Sequence, residues 1–194
     1  MTDISYKTHI RPFSSSFERI TFTDAQIKKA TQWALEMEEQ KLKERSWQRD
    51  SGSMIKRLVT GILGELALEQ YLGMEFVDWS IGKTVDYEKP DLSALGVDIG
   101  VKSVEFSELP NSIDRFPIIL KQNTYPQAFT FYKPLQKTVF ICGLATTDVL
   151  NTYQTAALVL SPALRAKGNK TAFYGFEQLL PPSSISEYIQ QSKK

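Results

Sequence analysis

The stretch Pro90–Val104, PDLSALGVDIGVKSV, decides how the rest of the chain is interpreted. In its second half, apolar residues alternate with others, as in a half-buried strand. Alternate residues of a strand point to the same side, so Asp98, Gly100 and Lys102 share a face. Asp91 precedes them in a turn-like Pro-Asp-Leu-Ser segment. We therefore expect a hairpin that gathers two acids and a lysine, a set that can hold a divalent cation beside a phosphate.

A helix upstream brings in a further acid. Helical periodicity begins at Ser53, continues through Leu72 and ends at Gly73, a residue type common at helix C-termini. The segment is apolar around most of its circumference, which predicts a largely buried helix. Glu65 lies on or beside an apolar stripe of this helix. A carboxylate there needs a cation, a metal or hydrogen-bond donors, unless it reaches solvent at the helix edge.

The remaining pattern places helices first and strands mostly after them. Thr23 and Gln26 have the spacing of a capping box at the start of an earlier helix. The most strand-like run is Lys137–Ala145, shorter strands are indicated at 117–120 and 171–176, and a terminal helix begins at Ser183 or Ser184. This order predicts one α/β domain spanning residues 1–194, with residues 1–21 as an N-terminal arm or lead-in strand.

Composition restricts the kinds of site that the chain can hold. The net charge is +1, so any nucleic-acid surface must be a local patch. One cysteine and one histidine exclude a Cys/His zinc site. Cys142 lies in an apolar run typical of a core strand, and His9 lies in the polar N-terminal segment, which argues against a catalytic Cys–His pair.

No segment indicates export or membrane insertion. The N-terminal residues lack the apolar stretch of a signal peptide, and no apolar run approaches membrane-spanning length. The low cysteine content agrees with a reducing compartment. We therefore expect a cytoplasmic protein with no membrane partner.

A basic segment at 41–57, from the end of the first helix onward, is the candidate nucleic-acid surface. It carries six cations against two acids and also holds Trp47. The cations are Lys41, Lys43, Arg45, Arg49, Lys56 and Arg57. Such a charge run is often a solvated helix end and loop. Facing phosphates, it would supply sequence-independent affinity for nucleic acid.

Three segments together resemble the PD-(D/E)xK nuclease superfamily, which includes many restriction, repair and phage nucleases. They are GILGELALEQYLG at 61–73, Pro90-Asp91, and VDIGVKS at 97–103. The resemblance covers roughly residues 55–146 and rests on the order of helix acid, Pro-Asp and strand lysine. It implies a restriction-endonuclease-like fold, with a mixed central β-sheet flanked by helices, and metal-dependent DNA cleavage by a prokaryotic or phage-encoded protein.

The resemblance also assigns roles to individual residues. By position in the motif, Asp91 matches the first aspartate, Lys102 the lysine and Glu65 the acid of the preceding helix. The resemblance implies that these carboxylates, with the backbone carbonyl of Val101, hold Mg²⁺ or Mn²⁺, because such ions prefer oxygen ligands and phosphate. Lys102 would then orient the attacking water or stabilise developing charge.

The partner implied by the resemblance is DNA. The six cations of the basic segment would contact its phosphates, and Gln122 or Tyr125 would lie near the site, after the strand that carries the lysine. A homodimer is the simplest way to cut both strands of a duplex.

Gly100 departs from the motif, which has Asp or Glu two residues before the lysine. Asp98 could replace the missing acid, because it lies on the same face ~6.6 Å earlier along the strand. Glu105 could replace it only if the strand bulges, since by alternation it points away. A third alternative is a site that has lost activity, in a fold that binds DNA or a protein partner. A glycine inside a strand also indicates a bulge or the close approach of another group.

A fortuitous motif is the remaining interpretation. Asp91 would then be an ordinary turn residue, and Asp98 and Lys102 would form a surface ion pair of small energetic value. The interpretations differ on one geometric point, because a nuclease-type site requires Glu65, Asp91 and Lys102 to converge.

Overall fold

The computed structural model describes residues 15–44, 54–82, 89–105 and 116–192. His9, Arg45, Arg49 and most of the predicted N-terminal arm lie outside these ranges. None of the helices within them combines the length and apolar character needed to cross a membrane.

The described helices and strands follow one another in a mixed order. The α-helices are α1 (Asp24–Lys43), α2 (Met54–Leu72), α3 (Thr147–Thr152), α4 (Pro162–Lys167) and α5 (Ser183–Ser192). The strands are β1 (Glu18–Thr21), β2 (Gly100–Glu105), β3 (Ile118–Leu120), β4 (Gln127–Lys133), β5 (Thr138–Ala145), β6 (Gln154–Thr155) and β7 (Lys170–Phe173). The predicted α/β class with a mixed sheet is confirmed, and the described elements form a single domain.

Helix α1 begins with the capping box that its sequence predicts. The Thr23 N–H donates to Gln26 Oε1 at 2.9 Å, and the Gln26 N–H donates to Thr23 Oγ1 at 3.3 Å. These two bonds satisfy backbone donors that have no partner within the first helical turn. Phe22, just before the cap, is buried in a cluster against which Ile27 packs, so the chain enters the helix at a defined angle.

Helix α2 is the buried helix that its apolar pattern predicts. Its buried residues are Thr60, Ile62, Leu63, Gly64, Leu66, Ala67 and Leu68. At Gly64 a Cβ atom would overlap the Ser103 hydroxyl of β2 and would lie 2.6 Å from the Thr130 hydroxyl of β4. Glycine therefore allows the helix and the strands to approach closely. This contact also sets the position of the next residue, Glu65.

A four-stranded mixed sheet forms the centre of the domain, in the order β1–β5–β4–β2. β2 is parallel to β4, whereas the β4–β5 and β5–β1 pairs are antiparallel. α2 covers one face of this sheet, and α1 packs on α2. Because β2 ends the order, it has a neighbouring strand on one side only within the described part of the chain.

A second, antiparallel sheet, β3–β7–β6, covers the opposite face. Phe129 and Phe131 of β4 meet Phe173 of β7 and the nearby Phe176 in the aromatic core between the sheets. The Phe129 and Phe173 rings stack with centroids 4.7 Å apart, a contact worth about 1 kcal/mol beyond the area it buries. Cys142 is buried in the same core, as its apolar run predicts.

The prediction of a hairpin at Pro90–Val104 is wrong. The first half of this stretch forms a 3-10 turn, Ser93–Leu95, followed by Gly96 in the left-handed region at φ 80°. The short-range hydrogen bonds of the turn take the place of those that a first strand would make. The loop still closes onto the strand that follows, because the Leu92 N–H donates to the Ile99 carbonyl at 3.0 Å.

Substitution of two glycines in α2 tests the close helix–strand contact. We expect Gly64→Ala to destabilise the protein by about 1–3 kcal/mol, because the new methyl group overpacks the contact with Ser103 and Thr130. Gly61→Ala is the matched control, since no atom lies within 4 Å of its added Cβ. It should stabilise the helix by about 0.5–1 kcal/mol. Urea unfolding measures both, and equal effects of the two substitutions would contradict this account of the contact.

Candidate functional site

Asp91, the first aspartate of the motif, lies at the free edge of β2. The Gly100 N–H donates to the Pro126 carbonyl beside β4 at 3.0 Å. Successive residues of a strand direct their backbone groups to opposite sides, so the N–H and carbonyl of Val101 point toward the free edge. There the Asp91 Oδ2 accepts a hydrogen bond from the Val101 N–H at 2.5 Å. Asp91 therefore caps the edge strand from the loop, rather than from the end of a neighbouring strand.

The side chains of β2 divide between the two faces of the sheet. On the helix side, Ser103 lies against Gly64 of α2. On the opposite side, Val104 packs against the aromatic core, and Lys102 shares that face because it lies two residues earlier. Glu65 follows Gly64 and approaches the edge from the helix side. The Asp91 carboxylate at the edge interacts electrostatically with Glu65 of the helix layer and with Lys102 of β2.

Glu65 is an acid in an unfavourable environment for its charge. Burial, followed by repulsion from Asp91, Asp78 and Glu69, raises its pKa from 4.5 to about 8. Glu69 itself has a structural role, because its carboxylate accepts hydrogen bonds from the Phe76 and Val77 N–H groups at 2.9 and 2.8 Å. Without a bound cation, Glu65 is therefore mostly protonated at neutral pH.

Opposing effects act on the pKa of Asp91. Burial raises this pKa, whereas the hydrogen bond from the Val101 N–H and the nearby charge of Lys102 lower it, and the net shift is upward. Two acids with raised pKa values and a shared electrostatic interaction form a pair that a cation would stabilise.

Lys102 is the cation whose charge acts on Asp91, and it is half-buried. Burial, followed by repulsion from Lys170, lowers its pKa from 10.5 to about 8, and the attraction of Asp91 opposes the decrease. Lys170, which lies on β7 of the second sheet, was not predicted from the sequence. No local sequence signal connects these two lysines, because only the packing of the two sheets brings them together.

The glycine at position 100 has a specific neighbour. Gly100 pairs with Gln127 across the parallel β2–β4 ladder. A Cβ atom on Gly100 would lie 2.5 Å from Nε2 and 2.6 Å from Oε1 of the Gln127 side chain. The carboxamide of Gln127, which is hydrogen-bonded to the Tyr125 hydroxyl, therefore occupies the space where the motif places its second acid.

The two alternative acids lie elsewhere. Asp98 is exposed and precedes β2, and its charge acts on Tyr125, whose pKa rises mainly through burial. Asp98 is not among the charges that act most on Glu65 or Asp91. The Glu105 carboxylate is 2.8 Å from the Lys56 ammonium. The bulge that Glu105 would need is absent from β2, whose described residues pair with β4 without interruption.

The predicted nucleic-acid contacts are distributed over three parts of the structure. Lys41 and Lys43 lie in the last turn of α1, Lys56 and Arg57 in the first turn of α2, and Arg45 and Arg49 outside the described ranges. Gln122 is exposed after β3. Tyr125 is half-buried and lines a cavity together with Lys102. Of these residues, Tyr125 is therefore the one that shares a cavity with a predicted site residue.

Comparison with protein-family models, with characterised proteins and with solved structures finds no match for this chain.

The oxygen ligands at the free edge of β2 fit a magnesium ion that a substrate would also coordinate. Among the described residues, no group of three His, Cys, Asp or Glu side chains could hold a metal. Mg²⁺ typically keeps several waters and uses one or two carboxylates together with substrate phosphate oxygens. Glu65 and Asp91 supply two carboxylates, and the Val101 carbonyl points toward the same edge. The set thus fits an ion bound jointly by protein and substrate, and does not fit a cage of three acids.

The raised pKa of Glu65 predicts how stability depends on pH. The folded protein retains the Glu65 proton up to about pH 8, whereas the unfolded chain releases it near the ordinary value. The wild-type protein should therefore lose stability between these pH values, and Glu65→Gln should not. Urea unfolding should show Glu65→Gln to be more stable than wild type by roughly 1–3 kcal/mol at pH 9, with a smaller difference at pH 5.

Glu187→Gln is the control for this measurement, because Glu187 is exposed on α5. It removes one carboxylate from an exposed position. A Glu65→Gln effect that changes no more between pH 5 and pH 9 than the Glu187→Gln effect would contradict the buried, repelled state of the Glu65 carboxyl.

Proposed function

We propose that this chain is a metal-dependent nuclease of the PD-(D/E)xK type, with a restriction-endonuclease-like fold, that hydrolyses phosphodiester bonds in DNA. One observation carries the proposal. Asp91 caps the free edge of β2 and acts electrostatically on both Glu65 and Lys102. The three residues that match the motif are far apart in the sequence and come from a helix, a loop and a strand, and their electrostatic interaction supports the proposal over a fortuitous motif.

The residues support this chemistry in distinct ways. Lys102, with a pKa of about 8, can exchange a proton near neutral pH and can stabilise charge that develops on a phosphate. Asp91 positions the strand that carries Lys102 through its bond to Val101. Mg²⁺ or Mn²⁺ held by Glu65, Asp91 and the Val101 carbonyl would polarise a phosphodiester and lower the pKa of an attacking water.

The basic residues are proposed to contact the DNA backbone. Lys41, Lys43 and Arg57 lie near the ends of α1 and α2 that the basic segment connects. Lys56 is paired with Glu105, so a phosphate contact from Lys56 would have to compete with that carboxylate. A homodimer would present two sites to the two strands of a duplex, and it stays a prediction.

Removing the residues of the edge site tests the nuclease proposal. The protein should cleave plasmid, linear duplex or single-stranded DNA with Mg²⁺ or Mn²⁺, and chelation should stop cleavage. Asp91→Ala and Lys102→Ala should each lower the rate at least about 100-fold, because one perturbs the cation ligands and the other removes a charge from the transition state. Gel assays measure the rates, and circular dichroism checks folding.

Lys28→Ala and Glu187→Gln are controls with matched charge changes at exposed positions of α1 and α5. They should retain the wild-type rate. Absence of cleavage of any DNA or RNA form with either metal would overturn the enzymatic proposal.

A second candidate function is a catalytically inactive nuclease-type domain that binds DNA or a protein partner. The position of Gln127 favours it, because the carboxamide occupies the place of the motif's second acid and supplies no negative charge. The lack of a three-acid group among the described residues agrees with it. Under this alternative the fold and the edge site are those of a nuclease, but the metal is bound too weakly for turnover.

The two candidates differ in the result of restoring the second acid. If the natural chain is inert, the double substitution Gly100→Glu/Gln127→Ala should produce metal-dependent cleavage, because it adds a carboxylate and clears its space. Gly100→Glu alone should stay inert and melt at a lower temperature, since its Cβ would lie 2.5 Å from the Gln127 amide. A folded but inert double variant that binds no Mn²⁺ would argue against an ancestral metal site here.

A further inference from the structure

A cavity of about 170 Å³ lies on the side of Lys102 that faces the second sheet. Its polar lining comprises Lys102, Lys170, Asn123, Thr124, Tyr125 and Gln127. Apolar residues of β3 complete its wall. The cavity is large enough for a phosphate group. No acidic residue is among the described residues that line it.

Two lysines line this cavity from different sheets, Lys102 from β2 and Lys170 from β7. The charges of Asp91 and Asp98 act on Tyr125 in its wall, but neither acid lines the cavity. Neither lysine is in a salt bridge with an acid in the described ranges, although Asp91 acts on Lys102 from the free-edge side. Two ammonium groups on one cavity repel each other, so an anion between them would recover free energy that the empty arrangement loses.

The polar wall is held in place before any ligand arrives. Asn151 Oδ1 accepts from the Asn123 N–H at 3.0 Å, and Asn123 Nδ2 donates to the Leu120 carbonyl at 2.9 Å. Gln154 Nε2 donates to the Lys121 carbonyl at 2.9 Å. These bonds connect the loop that follows β3 to α3 and β6. A wall ordered in this way does not lose conformational entropy when it binds a ligand.

We propose that this cavity is a phosphate-binding subsite in which Lys170 and Lys102 face one phosphate group. Thr124 and Tyr125 provide hydroxyl groups around it, and lysine is a common phosphate ligand as a point charge. The occupant is a phosphate of the nucleic-acid strand, next to the bond at the edge site. Its identity as a strand phosphate rests on the proposed function, whereas the affinity for phosphate does not.

Binding of inorganic phosphate tests the subsite directly. Calorimetric titration at constant ionic strength, without divalent cations, should show phosphate binding to the wild-type protein. Lys170→Met should weaken it at least tenfold, and Lys170→Arg should restore most of the affinity because it retains the charge. Lys28→Met is the control, since Lys28 is exposed on α1 and does not line the cavity. Equal phosphate affinity in wild type and Lys170→Met, or no phosphate binding at all, overturns the proposal.

An oligonucleotide identifies the source of the phosphate. In the presence of chelator, a single-stranded DNA should displace inorganic phosphate from the wild-type protein, and Lys170→Met should bind the DNA more weakly, with a smaller salt dependence. DNA that binds without displacing phosphate overturns the strand as the source. Phosphate binding without DNA cleavage supports the subsite and overturns the nuclease activity. DNA cleavage together with unchanged phosphate affinity in Lys170→Met supports the nuclease activity and overturns the subsite.

Discussion

The hydrogen bond between the Asp91 carboxylate and the Val101 N–H is the interaction on which the site depends. Strand β2 ends the central sheet, so its outward backbone groups lack a strand partner within the described residues. Exposed strand edges pair with other chains unless something covers them. Asp91 covers this edge, and in doing so it places a carboxylate against Glu65 and Lys102. The same residue thus caps a backbone donor of the edge strand and interacts electrostatically with both Glu65 and Lys102.

Burial destabilises the charged forms of Glu65 and Lys102, and their pKa values show this. Glu65 is an acid whose pKa is raised to about 8, and Lys102 is a base whose pKa is lowered to about 8. Both shifts favour the neutral form, so neither residue stabilises the fold through its charge at neutral pH. A buried group whose charged form is destabilised is typical of a site that binds a charged ligand. The cation proposed for the acid pair and the phosphate proposed for the lysine pair would offset these two penalties separately.

Gly100 illustrates how far a motif can be interpreted from the sequence. A glycine in a strand predicts a close approach by another group, and that prediction is confirmed, but the identity of the group is decided by register. The parallel pairing of β2 with β4 brings Gln127 beside Gly100, although the two are 27 positions apart. Lys170 is a similar case, because it reaches Lys102 only through the packing of the second sheet.

The features predicted correctly from the sequence depend on interactions between residues that are close in the chain. The capping box at Thr23, the apolar circumference of α2 and the β-rich run that becomes β5 each follow from interactions within a few residues, and each was predicted. The motif also predicted Glu65, Asp91 and Lys102 as site residues from residue type and order, and this stays a prediction. The tertiary structure alone decided that Asp91 caps the free edge of β2, that Asp98 is exposed, and that Gln127 and Lys170 lie beside Gly100 and Lys102. These outcomes depend on contacts between distant segments, whose free energies appear only when the sheets and helices pack.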